Sequence, residues 1–207
     1  MGQVWGIVVA AGSGRRFGGP KQFQLLHGRR IVDWSVATAS AACDRVVVVL
    51  PRDRLEPGTV AGGATRSDSV RAGLAAVPDD ADIVVVHDAA RPLASADLFA
   101  RVIEAVRSGA DAAIPGVPVT DTIKAVAGSV VVSTVERSTL VAVQTPQAFR
   151  AASLRRAHAS APEASDDAAL IEADGGVVVV VAGEARNLKI TSPDDLAVAG
   201  MWLTPTP

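Results

Sequence analysis

The chain has 207 residues, 49% of them hydrophobic and 3% aromatic with no tyrosine, which is enough apolar material for one domain whose core is built from small and β-branched side chains. A net charge of -2 with no basic run beyond two residues excludes a general nucleic-acid surface, and the shortage of aromatics excludes stacking platforms for single strands. The lone cysteine, Cys43, excludes an internal disulfide or a Cys-based metal cluster, and the longest apolar stretch, Val177 to Ala182, falls far short of the roughly 20 residues that span a bilayer. With no charged segment ahead of its first apolar run, the chain is expected in the cytoplasm, without nucleic-acid or membrane partners.

In chain order, Val4 to Ala10 reads as a buried first strand. It runs into a glycine-rich turn, Gly12 to Lys21, in a stretch where the first thirty residues carry five basic and no acidic side chains. Helices are expected over Ile31 to Ala41, Ser67 to Ala76 with Ser67 as cap, Ala96 to Ser108, Ala151 to Ala159 and Asp166 to Ala173. Between them, Arg45 to Leu50, Ile83 to Val86 and Val177 to Val181 are nearly continuous in Val and Ile, the pattern of strands covered on both faces. Strand alternates with helix, so the expected fold is α/β, a Rossmann-like, mostly parallel sheet flanked by helices. Pro115 to Arg137 breaks the alternation and reads as a protruding β-hairpin arm around Ala127-Gly128-Ser129, whose marginal stability alone implies packing on a second subunit. Residues 1–207 are taken as one domain, with 115–137 as an arm subregion used for dimerisation and Thr204 to Pro207 as a frayed tail.

Ligands of such sheets lie at the carboxyl ends of the strands. There, Gly12, Gly14, Gly18 and Gly19 allow close backbone approach to a ligand, and Arg15, Arg16 and Lys21 supply positive charge, which is the composition of a polyphosphate cradle. The dinucleotide fingerprint begun by Gly12 and Gly14 fails at Phe17, and no Gly-Lys-Ser/Thr completes a Walker motif. Asp88, after the Ile83 to Val86 strand, reads either as a turn residue or as the carboxylate of a phosphate-bound Mg²⁺. Arg91 is placed to return to the same cleft and hold a second phosphorylated substrate, while His87 reads as a structural hydrogen-bonding residue. Gly62 to Val70 is either a plain loop before a capped helix or a backbone surface for a nucleobase edge. Lys189, in a strand-like run before a last capped helix, either snorkels to solvent or reaches the cleft from the opposite side.

Ala10-Ala11-Gly12-x-Gly14-x-Arg16, Pro20-Lys21-Gln22, Arg66-x-x-Ser69-Val70, Val86-His87-Asp88-Ala89-Ala90-Arg91-Pro92, Asp121-Thr122-Ile123-Lys124, Thr134-Val135-x-Arg137, Thr145-Pro146-Gln147 and Asn187-x-Lys189-x-Thr191, in this order, resemble the 2-C-methyl-D-erythritol 4-phosphate cytidylyltransferases of the non-mevalonate isoprenoid pathway. The resemblance covers Val4 to about Leu203 and implies a nucleotidyltransferase fold. It implies that Ala10, Ala11, Gly12, Gly14, Gly63, Ser69, Asp88 and Ala89 hold CTP, and that Arg16, Lys21 and Lys189 stabilise the pentacoordinate α-phosphorus. It further implies that Asp88 lies beside Mg²⁺ (or another divalent cation) and the acceptor, with Arg91, Ser165 and Thr191 on the acceptor side. Thr122 and Arg137 would complete the methylerythritol phosphate site of the neighbouring subunit, making a homodimer. Val9, Ala64 and Ser165 depart from the family pattern; Ser165 keeps the usual hydroxyl, and Ala64 bears on the cytosine or ribose contacts. The implied reaction is in-line attack by the acceptor phosphate on the α-phosphorus of CTP. The alternatives are a cytidylyltransferase for another polyol phosphate such as ribitol 5-phosphate, a nicotinamide-dependent oxidoreductase, and a domain that only senses CTP.

Overall fold

A computed structural model describes residues 2–160, 163–164 and 166–203. Strand β1 (Val4–Val9) is followed by a glycine loop with two 3₁₀ turns, Arg15–Phe17 and Lys21–Phe23, then by the short hairpin β2 (Leu25–Leu26) and β3 (Arg29–Arg30). Helix α1 (Ile31–Ala42), β4 (Arg45–Leu50), β5 (Val60–Ala61), α2 (Arg66–Ala75), β6 (Ile83–Asp88) and α3 (Ala96–Arg107) come next. The second half holds β7 (Ala112–Pro118), β8 (Ile123–Ala127), β9 (Val130–Val135), β10 (Val141–Val143), β11 (Gln147–Arg150), α4 (Ala151–His158), α5 (Asp167–Ala173), β12 (Val178–Ala182) and α6 (Pro193–Leu203).

One sheet carries eight of these strands in the order β10-β7-β11-β6-β1-β4-β5, with β12 also paired to β7. Strand β1 runs parallel to both β4 and β6, so its end, Val9, lies level with Val49 on one side and Asp88 on the other. Only β10 and β11 run against the rest. The apolar runs of β1 and β6 are continuous because both faces are covered. Val8 and Val85 face a cluster with Leu98, Phe99 and Val102 of α3, while Ile7, Val84 and Val86 face Val70 and Leu74 of α2 and Leu154 of α4. Helix α3 turns one stripe inward, Leu98, Phe99, Val102, Ile103 and Val106, each worth about 1.5 to 3 kcal/mol of burial.

Four expectations need correction. β12 is not covered on both faces: it is an outer strand beside β7, and Val180 is 53% exposed. The arm starts later than residue 115, since Pro115 to Pro118 complete β7; Gly116 is squeezed there, where a Cβ would sit 2.8 Å from Val180 and 2.9 Å from Val141. The hairpin itself is β8 and β9, turning at Gly128 with φ +61°. The cap of α2 is Thr65 and not Ser67: the Thr65 hydroxyl accepts from the Asp68 N–H while the Asp68 carboxylate accepts from the Thr65 N–H. Residues 187–191 form a loop with no strand. No described helix is long and apolar enough to cross a membrane.

Candidate functional site

A cleft of about 800 Å³ opens at the carboxyl ends of β1 and β6. One bank is the glycine loop. Gly14 sits at φ +66°, and a Cβ there would lie 1.7 Å from the Gly19 carbonyl, so only glycine closes this turn. The Gly14 carbonyl accepts from the N–H of Phe17 at 2.9 Å and of Gly19 at 3.2 Å, and the buried Gln22 amide donates to the Gly12 carbonyl at 3.1 Å. This last bond ties the Lys21 turn to the loop.

The second bank is the Gly62–Arg66 turn. Ser69 braces it from beneath, accepting from the Gly63 N–H at 3.2 Å and donating to the Thr65 carbonyl at 3.0 Å. The hydroxyl of Ser69 therefore shapes the loop backbone.

Asp88 forms the floor. Its N–H donates to Thr145 Oγ1 at 3.0 Å; that hydroxyl lies 3.1 Å from His87 Nδ1, and His87 Nε2 donates to the Arg91 carbonyl at 3.2 Å. Burial pulls the His87 imidazole down to about 4, so it is uncharged at neutral pH and acts as the structural residue its sequence context indicates.

The loop 187–191 brings Lys189 in from the far side. It docks through the Ile190 N–H on the Ala90 carbonyl at 2.8 Å and through the fully buried Asn187 on the Thr145 carbonyl at 2.9 Å. Lys189 Nζ then donates to Asp88 Oδ2 at 2.6 Å, and Arg66 Nε to Asp88 Oδ1 at 3.2 Å. Burial pushes the Asp88 carboxyl up, but the charges of Arg66 and Lys189 more than reverse this and hold it well below the usual carboxylate range.

Arg15, Arg16, Lys21, Arg66 and Lys189 line the cleft with Asp88 as the one acidic side chain among its described lining residues. The Lys21 ammonium is lowered from its ordinary value by burial and by the nearby charges of Lys189 and Arg16. Cations from both banks thus converge closely enough to repel, and a polyanion is the ligand that relieves the repulsion.

Of the residues singled out from sequence, Ala10, Ala11, Gly12, Gly14, Arg16, Lys21, Gly63, Ser69, Asp88, Ala89, Lys189 and Thr191 line this cleft. The Thr191 hydroxyl is engaged, donating to Asp195 at 2.7 Å at the start of α6. Arg91 does not line the cleft. Its guanidinium donates to the backbone carbonyls of Asn187 at 2.7 Å and Val143 at 3.3 Å, fastening the Lys189 loop to the sheet. Thr122 and Arg137 are exposed at the base of the arm, outside the cleft of their own chain. Ser165 and Thr204 to Pro207 lie outside the described residues.

Sequence reading passes over Arg66 as a site residue, although it lies close behind the Gly62-Gly63 turn. Its partners Asp88 and Asp167 stand 22 and 101 positions away, so spacing could not reveal the pairing. Among the described residues no group of three or more His, Cys, Asp or Glu side chains forms a metal cage. Both Asp88 oxygens are taken by side-chain cations, so a divalent ion would have to arrive on phosphate oxygens, with Asp88 as at most one ligand once Lys189 leaves it.

A family profile described as 2-C-methyl-D-erythritol 4-phosphate cytidylyltransferase (IspD) matches residues 4–205. The chain is 50% identical over 213 residues to the protein of that name from Rhodococcus jostii, covering 96% of this chain and 94% of that one. It is 44% identical to a bifunctional enzyme IspD/IspF from Solidesulfovibrio magneticus, of which it spans 56%. The crystal structure of 2-C-methyl-D-erythritol 4-phosphate cytidylyltransferase from Thermus thermophilus superposes with a TM-score of 0.83 at 40% identity, covering 95% of this chain and 96% of that one.

Proposed function

The chain belongs to the 2-C-methyl-D-erythritol 4-phosphate cytidylyltransferase family and is a CTP-dependent nucleotidyltransferase, and from this premise we propose how its residues divide the work. The reaction joins the CMP group of CTP to 2-C-methyl-D-erythritol 4-phosphate, giving 4-diphosphocytidyl-2-C-methyl-D-erythritol and pyrophosphate. An oxygen of the acceptor phosphate bonds to the α-phosphorus as the bond to the β-phosphate oxygen breaks, and the electron pair leaves with pyrophosphate. The attacking phosphate is already an anion, so no residue need remove a proton; positioning and charge stabilisation carry the step.

The observation that carries this reading is the convergence of Arg16 and Lys21 from the glycine loop and Lys189 from the opposite loop on one cleft. In the proposed roles, Ala10, Ala11, Gly12 and Gly14 present backbone to the triphosphate, and Gly63, held by Ser69, offers its loop to the cytosine. Arg16, Lys21 and Lys189 meet the charge growing on the α-phosphoryl group. Asp88, next to Ala89, orients Lys189 and faces the acceptor. A Mg²⁺ ion held by the phosphates, with Asp88 nearby, would add neutralising charge on the leaving pyrophosphate.

Arg91 supports the acceptor side through the loop it fastens, with Thr191 at the edge of the cleft. The arm exposes Val126, Val130, Val131 and Val132 at 56 to 67%, an apolar surface suited to a second copy of this chain. Packing there would let Thr122 and Arg137 enter the neighbour's cleft and complete a homodimer. Residues 1–207 then act as one domain, and the proposed compartment is the cytoplasm.

The test is turnover. CTP, Mg²⁺ and methylerythritol phosphate should yield pyrophosphate and a cytidylyl diphosphate product by ³¹P NMR. Equal or greater turnover with ribitol 5-phosphate would reassign the acceptor.

A further inference from the structure

Arg66 is held at both ends of its guanidinium. Nε donates to Asp88 in the cleft at 3.2 Å, and Nη1 donates to Asp167 Oδ2 at 2.7 Å behind it. Asp167 opens α5, its side chain is 1% exposed, and its other oxygen accepts from Nε2 of His158, the last residue of α4, at 3.0 Å. Burial pushes the Asp167 carboxyl up, but the His158 hydrogen bond and the Arg66 charge outweigh it and keep the carboxyl below its ordinary value.

The two cations on Asp88 therefore differ in freedom. Lys189 is a half-exposed side chain with one anionic partner, whereas Arg66 is clamped between two carboxylates. If Lys189 moves onto the nucleotide, Asp88 still needs a counter-charge, because an unpaired carboxylate in so buried a place would be costly beside incoming phosphates. Without its rear anchor, Arg66 would be drawn to the same phosphates, and Asp88 would lose both hydrogen-bonded cations and keep only the weaker influence of Arg91, whose guanidinium is fastened to backbone carbonyls.

We propose that Asp167 and His158 are positioning residues for the transfer step: they clamp Arg66 on Asp88, so that Lys189 can leave the carboxylate for the α-phosphoryl group. This rests on the role given to Lys189 above. It separates a fixed charge from a mobile one within a single chain of contacts that runs from the buried His158 and Asp167 through Arg66 and Asp88 to the half-exposed Lys189. A purely structural part, pinning α4 to α5, would alter stability without touching the chemical step through Arg66.

A double-mutant cycle on kcat distinguishes these roles. D167N, R66Q and the double variant are compared with the parent for kcat, for KM of CTP and for melting temperature. D167N is expected to lower kcat about 10-fold or more while KM for CTP stays within about 3-fold, and in the R66Q background it should change kcat by less than about 2-fold. Unchanged kcat in D167N, or the same fold loss in both backgrounds, overturns the proposal.

The His158 pair gives the same decision should D167N fail to fold. H158Q keeps an N–H for Asp167 and should retain more kcat than H158L, and equal losses would remove His158 from the relay. A parent enzyme that releases no pyrophosphate would overturn the functional reading itself, together with this proposal. An active parent with an additive cycle would overturn only the relay.

Discussion

Replacing Lys189 with alanine removes the cation that the 187–191 loop brings into the cleft. A unit charge about 4 Å from charge growing on a phosphoryl oxygen is worth about 4 kcal/mol at an effective dielectric near 20. The Lys189 side chain is 39% exposed, so solvent screens part of this, and about 2 to 3 kcal/mol should be lost from the transition state. That corresponds to about a 30- to 150-fold fall in kcat. The ground state should suffer far less. Arg15, Arg16, Lys21 and Arg66 remain in the cleft, and Asp88 keeps Arg66 as partner. The dissociation constant for CTP, measured by calorimetry, should therefore change by less than about 5-fold while pyrophosphate release collapses. A kcat within about 3-fold of the parent, or a loss confined to CTP binding, would refute the transition-state role of this lysine.

If Arg137 serves the neighbouring cleft, R137A and K189A homodimers should each be nearly inactive, yet mixing them after unfolding and refolding should recover about a quarter of the parent activity, because half the dimers would carry one intact site of two; no recovery would place Arg137 in its own subunit's site, and an active R137A homodimer would place it outside any site. Gly14→Ala should weaken CTP binding by at least about 10-fold with little change in melting temperature, since the new Cβ meets the Gly19 carbonyl at 1.7 Å in a surface loop; unaltered affinity would show that the turn tolerates a side chain. His87 is pulled down to about 4 from an ordinary 6.5, so between those values the unfolded chain binds a proton that the folded one does not. Stability is then full above pH 6.5 and falls with decreasing pH toward 4, by about 3 kcal/mol at most, and urea unfolding at pH 7 and 4.5 should show the loss. A flat profile over that interval would contradict the burial argument. Ser69→Ala removes the brace between Gly63 and Thr65 and should cost about 1 to 2 kcal/mol in the same unfolding assay, together with poorer discrimination of CTP from UTP; retained stability and selectivity would show that the loop holds its shape unaided.

What the sequence reveals depends on whether a residue's environment is local. β1 and β6 are legible because burial on both faces leaves unbroken Val and Ile runs, and the glycine loop because its φ angles and basic residues lie within a few positions. β12 has the same composition but sits outside β7, where one face meets solvent, and composition cannot distinguish an outer strand from a central one. The α2 cap is readable in Thr65-Arg66-Ser67-Asp68, a hydroxyl with an acid three positions on, and choosing Ser67 overlooks that spacing. Lys189 stays open between solvent and cleft because its direction is set by Asn187 and Ile190 docking on residues 40 to 100 positions earlier. Arg91 is expected in the cleft since it lies three residues past Asp88, yet the turn sends its guanidinium to the carbonyls of Val143 and Asn187. The buried chain from His158 to Arg66 has no sequence signal, because its members come from three separate helices.

Most direct of all is a structure with CTP and Mg²⁺ bound. The Nζ atoms of Lys21 and Lys189 should both lie about 3 Å from oxygens of the same nucleotide's α-phosphate, with Arg66 still on Asp88. A triphosphate seated elsewhere, or held by one lysine while the other points to solvent, would contradict the convergence on which the proposed chemistry depends.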